Sequence, residues 1–121
     1  MSLTVLAVDD SRTMRDMIRL TLAAVGMTVI VAEDGVEGLE TLDRETPDVI
    51  ISDINMPRLD GFGFIEAVRL KEHLRAIPIL VLTTESAPEL KIRARNAGAT
   101  GWIVKPFDPQ KLVKTVQMVM A

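Results

Sequence analysis

Asp9 and Asp10 follow the apolar residues 3–8, Asp53 follows residues 49–52, Thr83 follows residues 79–82, and Lys105 follows residues 102–104. Three carboxylates, a hydroxyl and an ammonium thus stand at the ends of four apolar runs. Two carboxylates about 5 Å apart repel by roughly 3 kcal/mol at an effective dielectric near 20. Three brought together raise one another's pKa unless a cation intervenes. Oxygen ligands without His or Cys favour a hard ion. Few protein ligands with room for water favour Mg²⁺ over Ca²⁺, and Mn²⁺ could substitute. A carboxylate can also attack phosphorus and form an aspartyl phosphate, a transfer that asks mainly for in-line alignment and charge neutralisation at the equatorial oxygens. The set suits that chemistry: a cation for one oxygen, Lys105 for a second, the Thr83 hydroxyl for the third, and Asp53 as acceptor. The loop Asn55-Met56-Pro57 just past Asp53 is suited to offering a backbone carbonyl to the metal. Taken singly, each residue also reads as a helix cap or a solvated surface group. The conjunction at four strand ends is what points to chemistry.

These residues meet only if the runs are neighbouring strands of an open parallel sheet, whose carboxyl ends share one crevice. Five apolar runs begin near Leu3, Met27, Val49, Ile77 and Gly101. They are near-continuous rather than alternating, as strands covered on both faces should be. Helical periodicity fills the gaps: Met14, Met17, Ile18, Leu22 and Val25 form the first inward stripe, and Leu112, Val113, Val116, Val119 and Met120 the last. Asp34 with Glu37, and Ser86 with Glu89, have capping-box spacing. Asp60-Gly61 opens the third helix, and Asp108-Pro109 is an N-cap with proline at the first helical position. Gly26 and Gly98 stand where a left-handed helix stop is wanted. Strand–helix alternation repeated five times predicts an α/β, three-layer sandwich with right-handed crossovers. Five parallel strands and five helices favour the flavodoxin-like order 2-1-3-4-5, with the switch point between strands 1 and 3.

At 121 residues the chain is expected to form one domain over residues 1–121, without an output domain. An apolar content of 48% with 26% charged residues is ordinary for a globular protein. The formal charge of −3 gives no general attraction to nucleic acid or anionic membrane. No apolar run approaches the roughly 20 residues of a spanning helix. Cysteine is absent, which excludes disulfides and thiolate metal sites, and a cytoplasmic home is the expectation. A monomer is the simplest expectation. The lone His73, near the end of the third helix, has no second ligand and reads as a side chain favourable to the helix dipole.

The motifs Val8-Asp9-Asp10-Ser11, Asp53…Met56-Pro57…Asp60-Gly61, Leu82-Thr83-Thr84 and Val104-Lys105-Pro106-Phe107 occur in order over essentially the whole chain. By these it resembles the response-regulator receiver domains of two-component signalling. The resemblance implies that Asp53 accepts phosphate from a sensor histidine kinase. It implies that Asp10, Asp53 and the Asn55 carbonyl bind Mg²⁺ with Asp9 in support, and that Thr83 and Lys105 contact the phosphoryl group. It also implies a cis Lys105–Pro106 bond. Asn55 and Glu85 take the positions that tune hydrolysis in this family, and an amide with a carboxylate there implies fairly rapid loss of phosphate.

The stretch from Thr84 to Val104 looks like that of stand-alone chemotaxis CheY-type receivers. Where that family usually carries Tyr, Phe or His as a rotating switch ring coupled to Thr83, this chain has the bulkier Trp102, which also fits an ordinary half-buried strand residue. The resemblance implies an output face of the fourth helix, fifth strand and fifth helix. Lys91, Arg93 and Arg95 make that helix basic, above a thin apolar stripe of Leu90, Ile92, Ala94 and Ala97. Lys91, Arg95 and Trp102 would meet an acidic segment of a flagellar switch protein, and the cations equally fit a plain solvated face. A phosphatase is a further implied partner. The alternative within the family is a phosphorelay or phosphate-sink receiver that exchanges phosphate with a histidine phosphotransfer protein. An FMN-binding flavodoxin shares the fold, but Asp9-Asp10 would repel the flavin phosphate, and a dinucleotide site would need glycines that the first loop lacks.

Overall fold

The computed structural model describes residues 3–120. Ten regular elements alternate: β1 (Thr4–Val8), α1 (Arg12–Ala23), β2 (Thr28–Ala32), α2 (Gly35–Leu42), β3 (Val49–Ser52), α3 (Gly61–Leu70), β4 (Ile79–Thr83), α4 (Pro88–Ala97), β5 (Gly101–Val104) and α5 (Pro109–Val119). The five strands are parallel in the order 2-1-3-4-5. One core lies between the sheet and α2, α3 and α4, built on Leu6, Ile50, Phe64, Ile65 and Val81. The other joins Val5, Ile51 and Leu82 to Ile18 and Leu22 of α1 and to Leu112 and Val116 of α5. The result is the expected flavodoxin-like three-layer sandwich. β1, β3 and β4 are buried almost throughout, whereas the edge strands β2 and β5 are half-buried, because each lacks one neighbour.

Three helix starts agree with the capping pattern. The side chains of Asp34, Asp60 and Asp108 accept hydrogen bonds from the backbone N–H groups of Glu37, Gly63 and Gln110. The fourth start differs. Ala87, not Ser86, is the N-cap of α4 and makes no side-chain bond. Proline at position 88 disfavours helical backbone in the residue before it, so Ala87 is extended and Ser86 falls outside the helix. Gly26 and Gly98 both have positive φ, 86° and 122°.

Three stripes are narrower than periodicity suggested. Met17 and Val25 are exposed, at 42% and 49%. Met17 is turned about 100° from Ile18, onto the flank of the stripe, and Val25 lies beyond the end of α1. Ile92 is 58% exposed, because two residues from Ala94 is a turn of about 200°. In α5 only Leu112 and Val116 are buried, while Val113, Val119 and Met120 are half-buried. His73 sits past α3 in the 3-10 turn Glu72–Leu74, where it is exposed.

Candidate functional site

The ladder does not stop with the strands. The Asp9 N–H donates to the Ala32 carbonyl at 3.1 Å, the Asp53 N–H to the Val8 carbonyl at 3.0 Å, and the Lys105 N–H to the Thr83 carbonyl at 2.7 Å. Each of these three residues is therefore fixed by a backbone bond one step past the end of a strand. β1 and β3 are neighbours with Val8 opposite Ser52, so Asp9 and Asp53 emerge side by side at the switch point.

Lys105 closes the arrangement. Its ammonium donates to Asp9 Oδ2 at 2.7 Å and to Asp53 Oδ2 at 2.8 Å, with only 9% of its side chain exposed. The second oxygen of each acid takes a backbone donor: Ser11 N–H reaches Asp9 Oδ1 at 2.9 Å, and Ile54 N–H reaches Asp53 Oδ1 at 2.6 Å. Asp10 is exposed at the mouth, yet carboxylate oxygens of Asp9, Asp10 and Asp53 lie within 4.8 Å of one another. Burial pushes the Asp9 carboxyl above its ordinary value, although its bonds to Lys105 and Ser11 oppose that rise. Burial acts against the Lys105 ammonium, but its hydrogen bonds to Asp53 and Asp9 outweigh it and raise its pKa. The lysine stays charged, and the cluster remains an anion-rich cup with one fixed cation.

The remaining residues of the sequence expectation divide into two groups. Asn55 and Glu85 meet at the rim, Asn55 Nδ2 donating to Glu85 Oε1 at 3.2 Å. Thr83 is fully buried at the end of β4, and its hydroxyl accepts the Glu85 N–H at 3.4 Å. The Lys105–Pro106 bond is cis. Away from the cup, Lys91, Arg95 and Trp102 line a cavity of about 100 Å³ between α4 and β5. Among its described residues α4 buries only Ala94, with Arg93 stacked over the Phe62 ring at 4.0 Å. Two arginines escaped the sequence reading. Arg15 donates to the Asp9 carbonyl at 2.8 Å, and Arg58 grips Asp34. Arg15 has a legible signal, since it lies one helical turn past Ser11, the N-cap that follows the Asp9-Asp10 pair. Arg58 has none.

The model of the response regulator receiver domain matches residues 5–117. The chain belongs to the response-regulator receiver family. Receivers are signalling domains of two-component systems, and this one is similar to chemotaxis members. It is 42% identical to chemotaxis protein CheY1 of Helicobacter pylori (strain J99) over 117 residues, covering 95% of this chain and 94% of that one. Among solved structures, CheY4 of Vibrio cholerae superposes with a TM-score of 0.94 at 49% identity, covering 98% of this receiver and 99% of that chain. The receiver domain of the sensor histidine kinase PA1611 of Pseudomonas aeruginosa, 26% identical with a TM-score of 0.91 over 99% of this chain and 98% of that chain, has a magnesium ion coordinated in its active-site cleft.

Proposed function

We propose that Asp53 is the phosphoacceptor of this receiver and takes its phosphoryl group from a phosphohistidine of a sensor histidine kinase. The observation that carries this reading is the Lys105 ammonium seated between Asp9 and Asp53 within the acidic triad. The donor set fits Mg²⁺: the carboxylates of Asp9, Asp10 and Asp53 and the Asn55 carbonyl are all hard oxygens, and Mn²⁺ is an acceptable substitute. The magnesium in the PA1611 receiver supports that assignment. When bound, the ion supplies positive charge against the phosphoryl oxygens.

The chain's own residues do the rest. The donor N–P bond breaks as a bond forms from an Asp53 carboxylate oxygen to phosphorus, and the departing imidazole takes up a proton. Lys105 neutralises one phosphoryl oxygen, and the Thr83 hydroxyl donates to another. Asn55 and Glu85 hold a water in line with phosphorus. Hydrolysis forms the water O–P bond and breaks the bond to Asp53, which returns as a carboxylate. This is a signalling reaction on the protein itself, not turnover of a metabolite.

Thr83 and Trp102 carry the change to the face of α4, β5 and α5. A phosphoryl group adds about −2 charge and three strong acceptors, and weakly anchored α4 is suited to respond. Lys91 and Arg95 invite an acidic segment. The likeness to chemotaxis proteins supports a flagellar switch protein as the target, in the cytoplasm.

The test uses acetyl phosphate with Mg²⁺. The wild type gains one phosphoryl mass and its Trp102 fluorescence shifts, and Asp53→Asn does neither. Equal phosphorylation of Asp53→Asn overturns the assignment. The fluoroberyllate-loaded protein should bind a peptide of the flagellar switch protein, more weakly after Lys91→Glu or Arg95→Glu and at higher salt.

A further inference from the structure

Arg58 lies downstream of Asp53 in the loop between β3 and α3, and the reaction above assigns it nothing. Its backbone has φ +66°, and across it the Leu59 N–H donates to the Pro57 carbonyl at 2.7 Å. A three-residue turn closed on a positive φ is rare and strained for a residue with a side chain. The side chain explains why it persists. Arg58 Nε donates to Asp34 Oδ2 at 2.7 Å and Nη2 to Oδ1 at 3.0 Å. The acceptor is firmly seated, because Asp34 is only 4% exposed and the same Oδ1 takes the Glu37 N–H at 2.9 Å at the start of α2.

The next residue leans on the same corner. A Cβ added to Gly35 would lie 2.8 Å from the Leu59 carbonyl oxygen, so the loop tip seats there because position 35 is glycine. The neck of the loop is fixed separately. The Gly61 N–H donates to the Ile54 carbonyl at 2.8 Å, and Gly61 approaches the Asp53 carbonyl oxygen too closely to carry a Cβ. Asn55 stands between the anchored neck and the clamped tip.

We propose that Arg58, through its forked bond to Asp34, is a positioning residue that sets where the Asn55 carbonyl stands for the divalent cation. This inference rests on the Mg²⁺ reading of the site given above. A guanidinium fork on a carboxylate fixes direction as well as distance, which a single ammonium does not. The ion pair itself has little claim as a stability device, because 56% of the Arg58 side chain is exposed and exposed pairs contribute little. Its effect lies in geometry. Partners hydrogen-bonded to the ligands themselves govern metal affinity by about tenfold or more, and Arg58 acts one step further out, through the loop that carries the Asn55 carbonyl.

The test is titration calorimetry of the full chain with MgCl₂, alongside thermal melts. Arg58→Gly removes the guanidinium but makes the positive φ easy, so the melting temperature should not fall. Its Mg²⁺ dissociation constant should rise severalfold, short of the roughly tenfold loss typical of a partner bonded directly to a ligand, and Arg58→Lys should recover part of that loss. Equal Mg²⁺ affinity in wild type and Arg58→Gly overturns the positioning role and leaves the metal reading standing. A lower melting temperature with unchanged Mg²⁺ affinity overturns it too, and makes the clamp a purely structural contact. A wild type that takes up no Mg²⁺ overturns both.

Discussion

The Trp102 indole N–H donates to the Glu85 carbonyl at 3.0 Å. Glu85 also offers its carboxylate to Asn55 and its own N–H to the Thr83 hydroxyl. One residue of the β4–α4 loop is thereby tied to the ring on β5, to the end of β4 and to the loop after the acceptor strand. An indole has a single donor, so any outward rotation of the ring leaves that carbonyl without this partner. Trp102→Phe keeps an aromatic ring in place and deletes the donor. The expected loss is about 1 kcal/mol, seen as a lower urea midpoint with an unchanged slope. An unchanged midpoint would show that the bond contributes nothing to holding the loop.

The Asn55–Glu85 pair crosses the mouth of the cup, where water must pass to reach phosphorus. Glu85→Lys replaces an acceptor by a long cation beside an anionic phosphoryl group. The expected outcome is a phosphate lifetime lengthened severalfold, measured as slower loss of label from the phosphorylated protein after donor removal. Glu85→Gln should fall between the two. Equal decay rates in all three would remove Glu85 from the hydrolytic step.

Strand ends were legible because unbroken Val and Ile runs mark buried strands, and Asp9, Asp53 and Lys105 are each held by one more ladder bond past the run they follow. The chemistry of Asp9, Asp53 and Lys105 follows from that placement. Periodicity was less informative for the helices, since it orients a face without saying how wide a face the neighbours cover. Hence Met17 and Ile92 turned out exposed. The start of α4 was hidden because Pro88 controls the residue before it more strongly than Ser86 competes as a cap. Arg58 was invisible in principle: its left-handed backbone accompanies a forked bond to Asp34, which is remote in sequence, and Asp34 already had a sufficient explanation as a helix cap.

Gly61 seats the start of α3 against the acceptor loop. A Cβ there would also lie 2.7 Å from the Ile54 Cα, and backbone cannot swing aside as a flexible side chain can. Gly61→Ala must therefore displace either α3 or the Asp53–Ile54 segment. Overpacking of this kind destabilises by about 1–3 kcal/mol. Chemical denaturation should show that loss, and acetyl phosphate labelling should slow in parallel. Full labelling in a destabilised variant would place the displacement in α3 alone.

Mg²⁺ should raise thermal stability by relieving the crowding of Asp9, Asp10 and Asp53. At a concentration about ten times its dissociation constant, mass action gives about 1.4 kcal/mol, or about 5 °C for a domain of this size. A chelator should reverse the shift. Asp10→Asn should reduce it without disturbing the buried Lys105 pairs, because Asp10 is exposed. An equal shift in that variant would take Asp10 out of the ligand set.

Asp34 gives the fold an acid-sensitive contact outside the cup. Its hydrogen bond from Arg58, and then that from the Glu37 N–H, hold its carboxyl below the ordinary carboxylate value. An unfolded aspartate titrates near 3.9, so the folded chain holds fewer protons here than the unfolded one just below that pH. The contribution is therefore fully present above about pH 4 and is lost as the pH falls through the lower folded-state value. Asp34→Asn keeps an acceptor for the Glu37 N–H but cannot titrate. Melting temperatures of wild type and variant should begin to converge below about pH 4 and meet only once the pH has fallen below the lower folded-state value, with the wild type ahead at neutrality. Parallel curves over the whole range would mean that the Arg58 pairing does not distinguish the two protonation states.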